Sequence, residues 1–263
     1  MKQAPKMNPQ TSFGVPHPRP THLSDPFKDN RVVELDALLA LPDSDLGSGD
    51  YQRLFSVGVP AGTYTEVVYF LPRAFGFLLS HDEEAIDCVT EVAWFMSEYA
   101  DDLRRDGLIQ KVRGAMGVCL DHWSTRFEVQ HWDRAGCEAK GWELNHNDIV
   151  KNGELIVEAL RALTEHSVHA DLAHNFVRTL CTDGCDATRA AWFLGLAREQ
   201  ADLMDLREEH PGVPLPTSFP SSIRTLLGDQ RRLVRAAEMV RSGFPKADIL
   251  GTYWTDTFAI LAL

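Results

Sequence analysis

The feature that most constrains the fold is the spacing of apolar residues from residue 74 onward. Leu108, Val112, Ala115, Cys119, Leu120 and Trp123 recur at steps of three and four, the period that lines side chains along one stripe of an α-helix. Ile86, Val89, Ala93, Trp94 and Met96 or Ser97 form a second such stripe. The same spacing predicts helices over Ala74–Ser80, His81–Arg105, Leu108–Phe127, Asp148–Leu163, Val168–Leu180, Asp186–Leu206, Ser221–Ser242 and Lys246–Leu263, with a shorter one over Arg31–Leu41. Gly107 reads as a stop between two of them, and Asn30 and Asp186 read as caps. The expected class is mainly α, built of packed antiparallel helical pairs, with a HEAT-like or duplicated array as one form of it.

Two stretches depart from the helical period. In the first, the β-branched runs Leu54–Val59 and Thr63–Leu71 flank Pro60-Ala61-Gly62. That pattern fits a minor β-hairpin, and equally a loop feeding a buried helix with Pro72 in its first turn. In the second, residues 128–145, no period is visible and a loop is expected. Prolines set the outer divisions. Pro5, Pro9, Pro16, Pro18, Pro20 and Pro26 make residues 1–30 an extended or disordered arm. Pro211-Gly212-Val213-Pro214-Leu215-Pro216 is a linker in which no helix continues. The expected organisation is therefore an arm over 1–30, a main helical domain over 31–210 and a C-terminal helical pair over 217–263. The closing apolar run from Phe258 to Leu263 is expected to dock into the core, with a partner-binding tail as the alternative.

The hexapeptide pattern T-x-x-A-W-F occurs at Thr90–Phe95 and again at Thr188–Phe193. Each copy lies inside a predicted helix, so the two either record a duplication or reflect two buried faces with similar needs.

Apolar residues make up 44% and charged residues 24% of the 263-residue chain, which excludes disorder throughout. No window approaches the apolar length of a membrane-spanning helix, and residues 1–20 lack the apolar core of a secretory signal. The five cysteines are sparse and odd in number, unlike a disulfide framework. A cytoplasmic protein is the expectation. The net charge of −12 argues against general nucleic-acid binding, which draws its affinity from cations set against phosphates.

Nucleophile elbows and phosphate-binding glycine loops are missing from the sequence, so no cofactor is expected. The metal chemistry that the residues allow is an alternative reading. Its ligands would come from His81, Asp82, Glu143, His146, His166, His169 and His174. Glu143-x-x-His146 and Asp171-x-x-His174 share the i, i+3 spacing of di-iron helices, and the class implied is a hydrolase-like helical enzyme. Cys181-Thr182-Asp183-Gly184-Cys185 has a spacing that zinc tolerates, and reads more simply as a turn between helices.

The charge pattern is the most informative chemical signal. Asp82, Glu83, Glu84, Asp87, Glu91, Glu98, Asp101 and Asp102 fall within residues 82–103, and no Lys or Arg lies in that window. Asp82, Glu83 and Glu84 complement a helix start, whereas Asp101 and Asp102 would oppose the dipole at the end of a helix running to Arg105. Residues 221–246, by contrast, carry Arg224, Arg231, Arg232, Arg235, Arg241 and Lys246 against Asp229 and Glu238. The function expected is a non-enzymatic interaction module of regulatory or immunity type. It would bind a basic protein through Glu84, Asp87, Glu91, Glu98, Asp101 and Asp102.

Overall fold

A computed structural model describes residues 13–24, 32–56, 61–80, 82–129, 150–165, 167–182, 184–209, 219–244 and 249–263. It is mainly helical, and helical pairs pack against each other. By backbone contacts the chain forms two compact units: residues 1–122 with 165–170, and residues 123–164 with 171–263. The C-terminal pair expected over 217–263 falls within the second unit. None of the helices among the described residues is long and apolar enough to cross a membrane.

Unit 1 contains α1 (Val32–Ala40), α2 (Ser48–Phe55), α3 (Tyr64–Val67), α4 (Leu71–Ser80), α5 (Asp82–Glu98) and α6 (Ala100–Arg105). To these it adds most of α7 (Ile109–Trp123) and a 3-10 turn at Ser167–His169. The described residues of 54–71 hold no strand, so the hairpin reading is corrected. Leu54 and Phe55 end α2, and a 3-10 turn at Val68–Phe70 leads from α3 into α4. The β-branched residues of this stretch pack as a buried helical turn, with Val67 and Val68 fully enclosed. Glu66 explains why the helix begins where it does. Its carboxylate accepts the Thr63 N–H at 2.8 Å, one half of a capping box. Pro72 lies in the first turn of α4, as the helical alternative requires.

Helix α5 is the spine of unit 1 and packs on α2 and α4. Phe95 of α5 meets Phe55 at 5.0 Å between ring centroids and Tyr99 at 4.8 Å, and Tyr64 completes the cluster 5.5 Å from Tyr99. The helix expected over 81–105 breaks at Tyr99, whose backbone (φ −98°, ψ 26°) leaves helical geometry. Asp101 and Asp102 therefore stand in the first turn of α6, where they complement the dipole. Gly107 ends α6 as expected. At φ +68° it supplies the left-handed residue of a Schellman closure, in which Leu108 N donates to Leu103 O at 2.7 Å.

The arm is docked over residues 13–24. Leu23 is buried, and Phe13 lies 6.3 Å from the Phe75 ring. Three polar anchors hold the segment. His17 Nε2 pairs with Asp106 at 2.8 Å, Arg19 pairs with Asp43 at 3.1 Å, and Ser24 N and Oγ donate to Glu66 at 3.1 and 2.9 Å.

Unit 2 contains α8 (Gly153–Glu165, all but its last residue), α9 (Ala170–Thr179, after its first residue), α10 (Ala187–Glu209), α11 (Ser221–Leu227), α12 (Gln230–Gly243) and α13 (Ile249–Ile260). Helix α10 is central, because α11, α12 and α13 all pack on it, and residues 190–200 are buried on every face. A Cβ at Gly243 would overlap the Ala187 methyl, so the end of α12 touches the start of α10. The helix expected over 221–242 is two helices, because Asp229 caps α12 by accepting the N–H of Arg231 at 3.0 Å. Asp186 likewise caps α10, accepting Arg189 N at 2.8 Å. Phe127, Trp192, Tyr253 and Trp254 form the aromatic core. The closing run reaches this core at Phe258, which stacks on Trp254 at 6.0 Å and is half-buried. An isolated antiparallel bridge joins Val129 to Val150. The expected cap Asn30 lies outside the described residues.

Candidate functional site

The acidic face expected from sequence lies on α5 and α6, and the structure sorts its members. Glu84 and Glu98 are exposed on α5, and Glu91 is half-buried. The side chain of Asp87 lies outside the described residues. Asp101 is 96% exposed and Asp102 half-exposed, and each pairs within its own turn, with Arg104 and Arg105 respectively. Those two arginines stand just past the window that lacks Lys and Arg, so among the described residues Asp101 and Asp102 are compensated within α6.

Trp94 lies on the same side of that helix. Glu91 and Glu98 fall three and four residues from it, the spacing of helical neighbours. Its ring is half-buried, and Nε1 donates to Glu165 Oε2 at 2.6 Å. Glu165 arrives from the returning segment 165–170 and adds an exposed carboxylate that sequence order conceals. The result is an aromatic ring framed by carboxylates, a grouping chemically able to attract a cation by both charge and π-face.

The proposed metal ligands do not assemble among the described residues, where no group of three or more His, Cys, Asp or Glu stands ready for an ion. His81, Glu143, His146 and His166 lie outside those residues, as does the side chain of Asp82. His169 is fully buried. Its Nε2 donates to Met96 O at 3.0 Å, and its Nδ1 faces Arg113 Nη1 at 3.2 Å. A carbonyl only accepts, so the proton sits on Nε2 and Nδ1 accepts from the guanidinium. Both ring nitrogens are occupied in joining the returning segment to α5 and α7. His174 is half-buried on α9.

At Cys181 the chain turns, and Gly184 takes φ +92°. Cys181 is buried and receives Arg232 Nη1 at 3.0 Å, while Cys185 Sγ lies 3.6 Å from Met239 Sδ. Burial pushes the Cys185 thiol up, against the pull of Arg235. Cys185 therefore stays a protonated, soft, half-buried thiol.

Sequence reasoning missed a buried ionic network in unit 2. Arg161 of α8 donates to Glu158 at 2.7 Å and to Glu199 of α10 at 2.8 Å. Arg198 pairs with Asp202 at 3.3 Å, donates to Thr257 Oγ1 at 2.9 Å and faces the Tyr253 ring at 5.1 Å. Burial drives the Tyr253 hydroxyl well above the ordinary tyrosine range, although Arg198 and Thr257 pull the other way. The sequence signal was the dipeptide Arg198-Glu199 directly after the apolar run Ala190–Ala197. On an all-buried helix, charges in that position must find partners inside.

No family model, curated protein or solved structure matches the chain.

Proposed function

We propose that the chain is a protein-interaction module of regulatory or immunity type, and that the acidic face of α5 receives a basic protein partner. The observation that carries this reading is Trp94, a half-buried ring fixed by Glu165 and neighboured along the helix by Glu91 and Glu98. Tryptophan and arginine are the residues that most often anchor interfaces. A partner arginine or lysine laid on the Trp94 face would meet carboxylates around its rim. Asp101 and Asp102 contribute less, because Arg104 and Arg105 compensate them. Blocking a partner of this kind needs only a complementary surface and no reaction chemistry.

The test uses a fluorescent Lys/Arg-rich peptide as probe, titrated at low and at physiological salt. Binding is expected to weaken steeply with salt. Glu84→Lys with Glu98→Lys should slow association and flatten the salt dependence, and Trp94→Ala should raise the dissociation rate. Binding unchanged by all three substitutions would remove the proposal. Glu91 is left unsubstituted because it is half-buried, so its reversal would mix folding with binding.

A further inference from the structure

Unit 2 holds a cavity that the acidic face does not use. It lies where α12 meets α13, has a volume of about 270 Å³, and is walled by Val240, Phe244, Trp254 and Phe258, with Arg241 and Thr255 beside them. The rings form a near-continuous aromatic surface. Trp254 lies 6.0 Å from Phe244 on one side and 6.0 Å from Phe258 on the other, the latter at 22° between planes. An apolar cavity of about 150 Å³ already accepts benzene, so this one has room for a benzene-sized ring with a short substituent. Aromatic walls favour a flat aromatic guest through offset or edge contacts.

One polar side chain gives the cavity its chemistry. Arg241 is exposed, with its guanidinium 4.3 Å above the Phe258 ring, and among the described residues it enters no ion pair. A planar guanidinium beside an apolar slot fits a carboxylate with two parallel hydrogen bonds. Among the described residues it is also the only cation of the lining, which suits one negative charge better than the two of a phosphate monoester.

We infer that this cavity binds a small aromatic carboxylate. The ring of the guest lies among Phe244, Trp254 and Phe258. Its carboxylate pairs with Arg241.

The experiment is a fluorine NMR titration of the full chain with 4-fluorophenylacetate, with 4-fluorophenylacetamide as the uncharged control. Saturable one-site binding is expected with Kd of about 0.1–1 mM, the range for a ligand of this size. The amide should bind about tenfold more weakly. Arg241→Met, on an exposed side chain, should leave the helical circular dichroism unchanged, bring the carboxylate down to the affinity of the amide and leave the amide untouched. Phe258→Ala should weaken both. Absence of saturable binding to the unmodified chain would overturn the inference, and so would equal affinity of the carboxylate for the unmodified chain and for Arg241→Met.

Discussion

Trp94 and Trp192 occupy the same place in the same hexapeptide pattern, yet they do different work. In both copies the flanking Ala and Phe are buried. In α5 the indole is half-buried and donates to a surface carboxylate, Glu165. In α10 the indole is wholly enclosed and donates to a backbone carbonyl, Arg126 O, at 3.0 Å. The helix around each explains the contrast. Helix α5 has two packed sides and an acidic open one, so its tryptophan finds its acceptor at the rim. Over residues 190–200 helix α10 is covered on all sides, so its tryptophan and even its charges, Arg198 and Glu199, must be satisfied inside. An identical local pattern thus yields a half-buried rim residue in one unit and a core residue in the other. What decides between them is the number of neighbours the helix has.

Substitutions can break this contrast or sharpen it. The largest effect belongs to Trp192→Ala, which should cost about 3–5 kcal/mol through lost burial and cavity formation. Chemical denaturation would show it as a marked fall in midpoint, and a small effect would mean that α10 is not central. Glu199→Ala comes next. It strands Arg161 with Glu158 alone and should cost about 3 kcal/mol, near the low end for breaking a buried pair. Acid should act on unit 1 in a different way. Burial works to raise the pKa of Asp106 and of Glu66, but hydrogen bonds outweigh it and hold both below their ordinary values. For Asp106 the bonds come from His17 and Tyr64, and for Glu66 from Thr63 and Ser24. A depressed folded-state pKa gives stability that is present above the ordinary carboxylate value and is lost as pH falls below it. The arm anchors should therefore release as pH drops below about 4. NMR signals of Phe13 and Leu23 moving to random-coil positions would report that release, while shifts held to the point of global unfolding would refute it. The smallest effect is that of Trp94→Phe, at most about 1 kcal/mol because the lost bond lies at a solvated rim. If its cost matched that of Trp192→Phe, which leaves the Arg126 carbonyl unpaired inside, the distinction drawn here between the two copies would fail.

Much of the fold was legible in the chain because helix-forming stripes speak locally. The spacing of Leu108 to Trp123, the stop at Gly107 and the cap at Asp186 each act within a few residues, and each appears in the structure where the sequence places it. The break at Tyr99 was hidden because the apolar period runs through it unchanged. So was α2, since Leu54 and Phe55 lead into a β-branched run whose period is short enough to suit a strand. Of the candidate face, the exposure of Glu84 and Glu98 follows from their place on the helix. The compensation of Asp101 and Asp102 was readable only by looking one turn past the acidic window. Glu165 lies 71 residues from Trp94, and the network of Arg161, Arg198 and Glu199 joins α8, α10 and α13. No local pattern reports such meetings, because they depend on which helix faces are covered.

The route of the chain through the two units bears on how the protein can be made and cut. Unit 1 takes residues 165–170 from beyond the start of unit 2, and with them the buried His169 and the carboxylate that fixes Trp94. A nascent chain therefore closes unit 1 only after residue 170 has left the ribosome, by which time α8 has already been synthesised. A fragment ended at His122 lacks a piece of its own interior, and no single scission separates the two units with both intact.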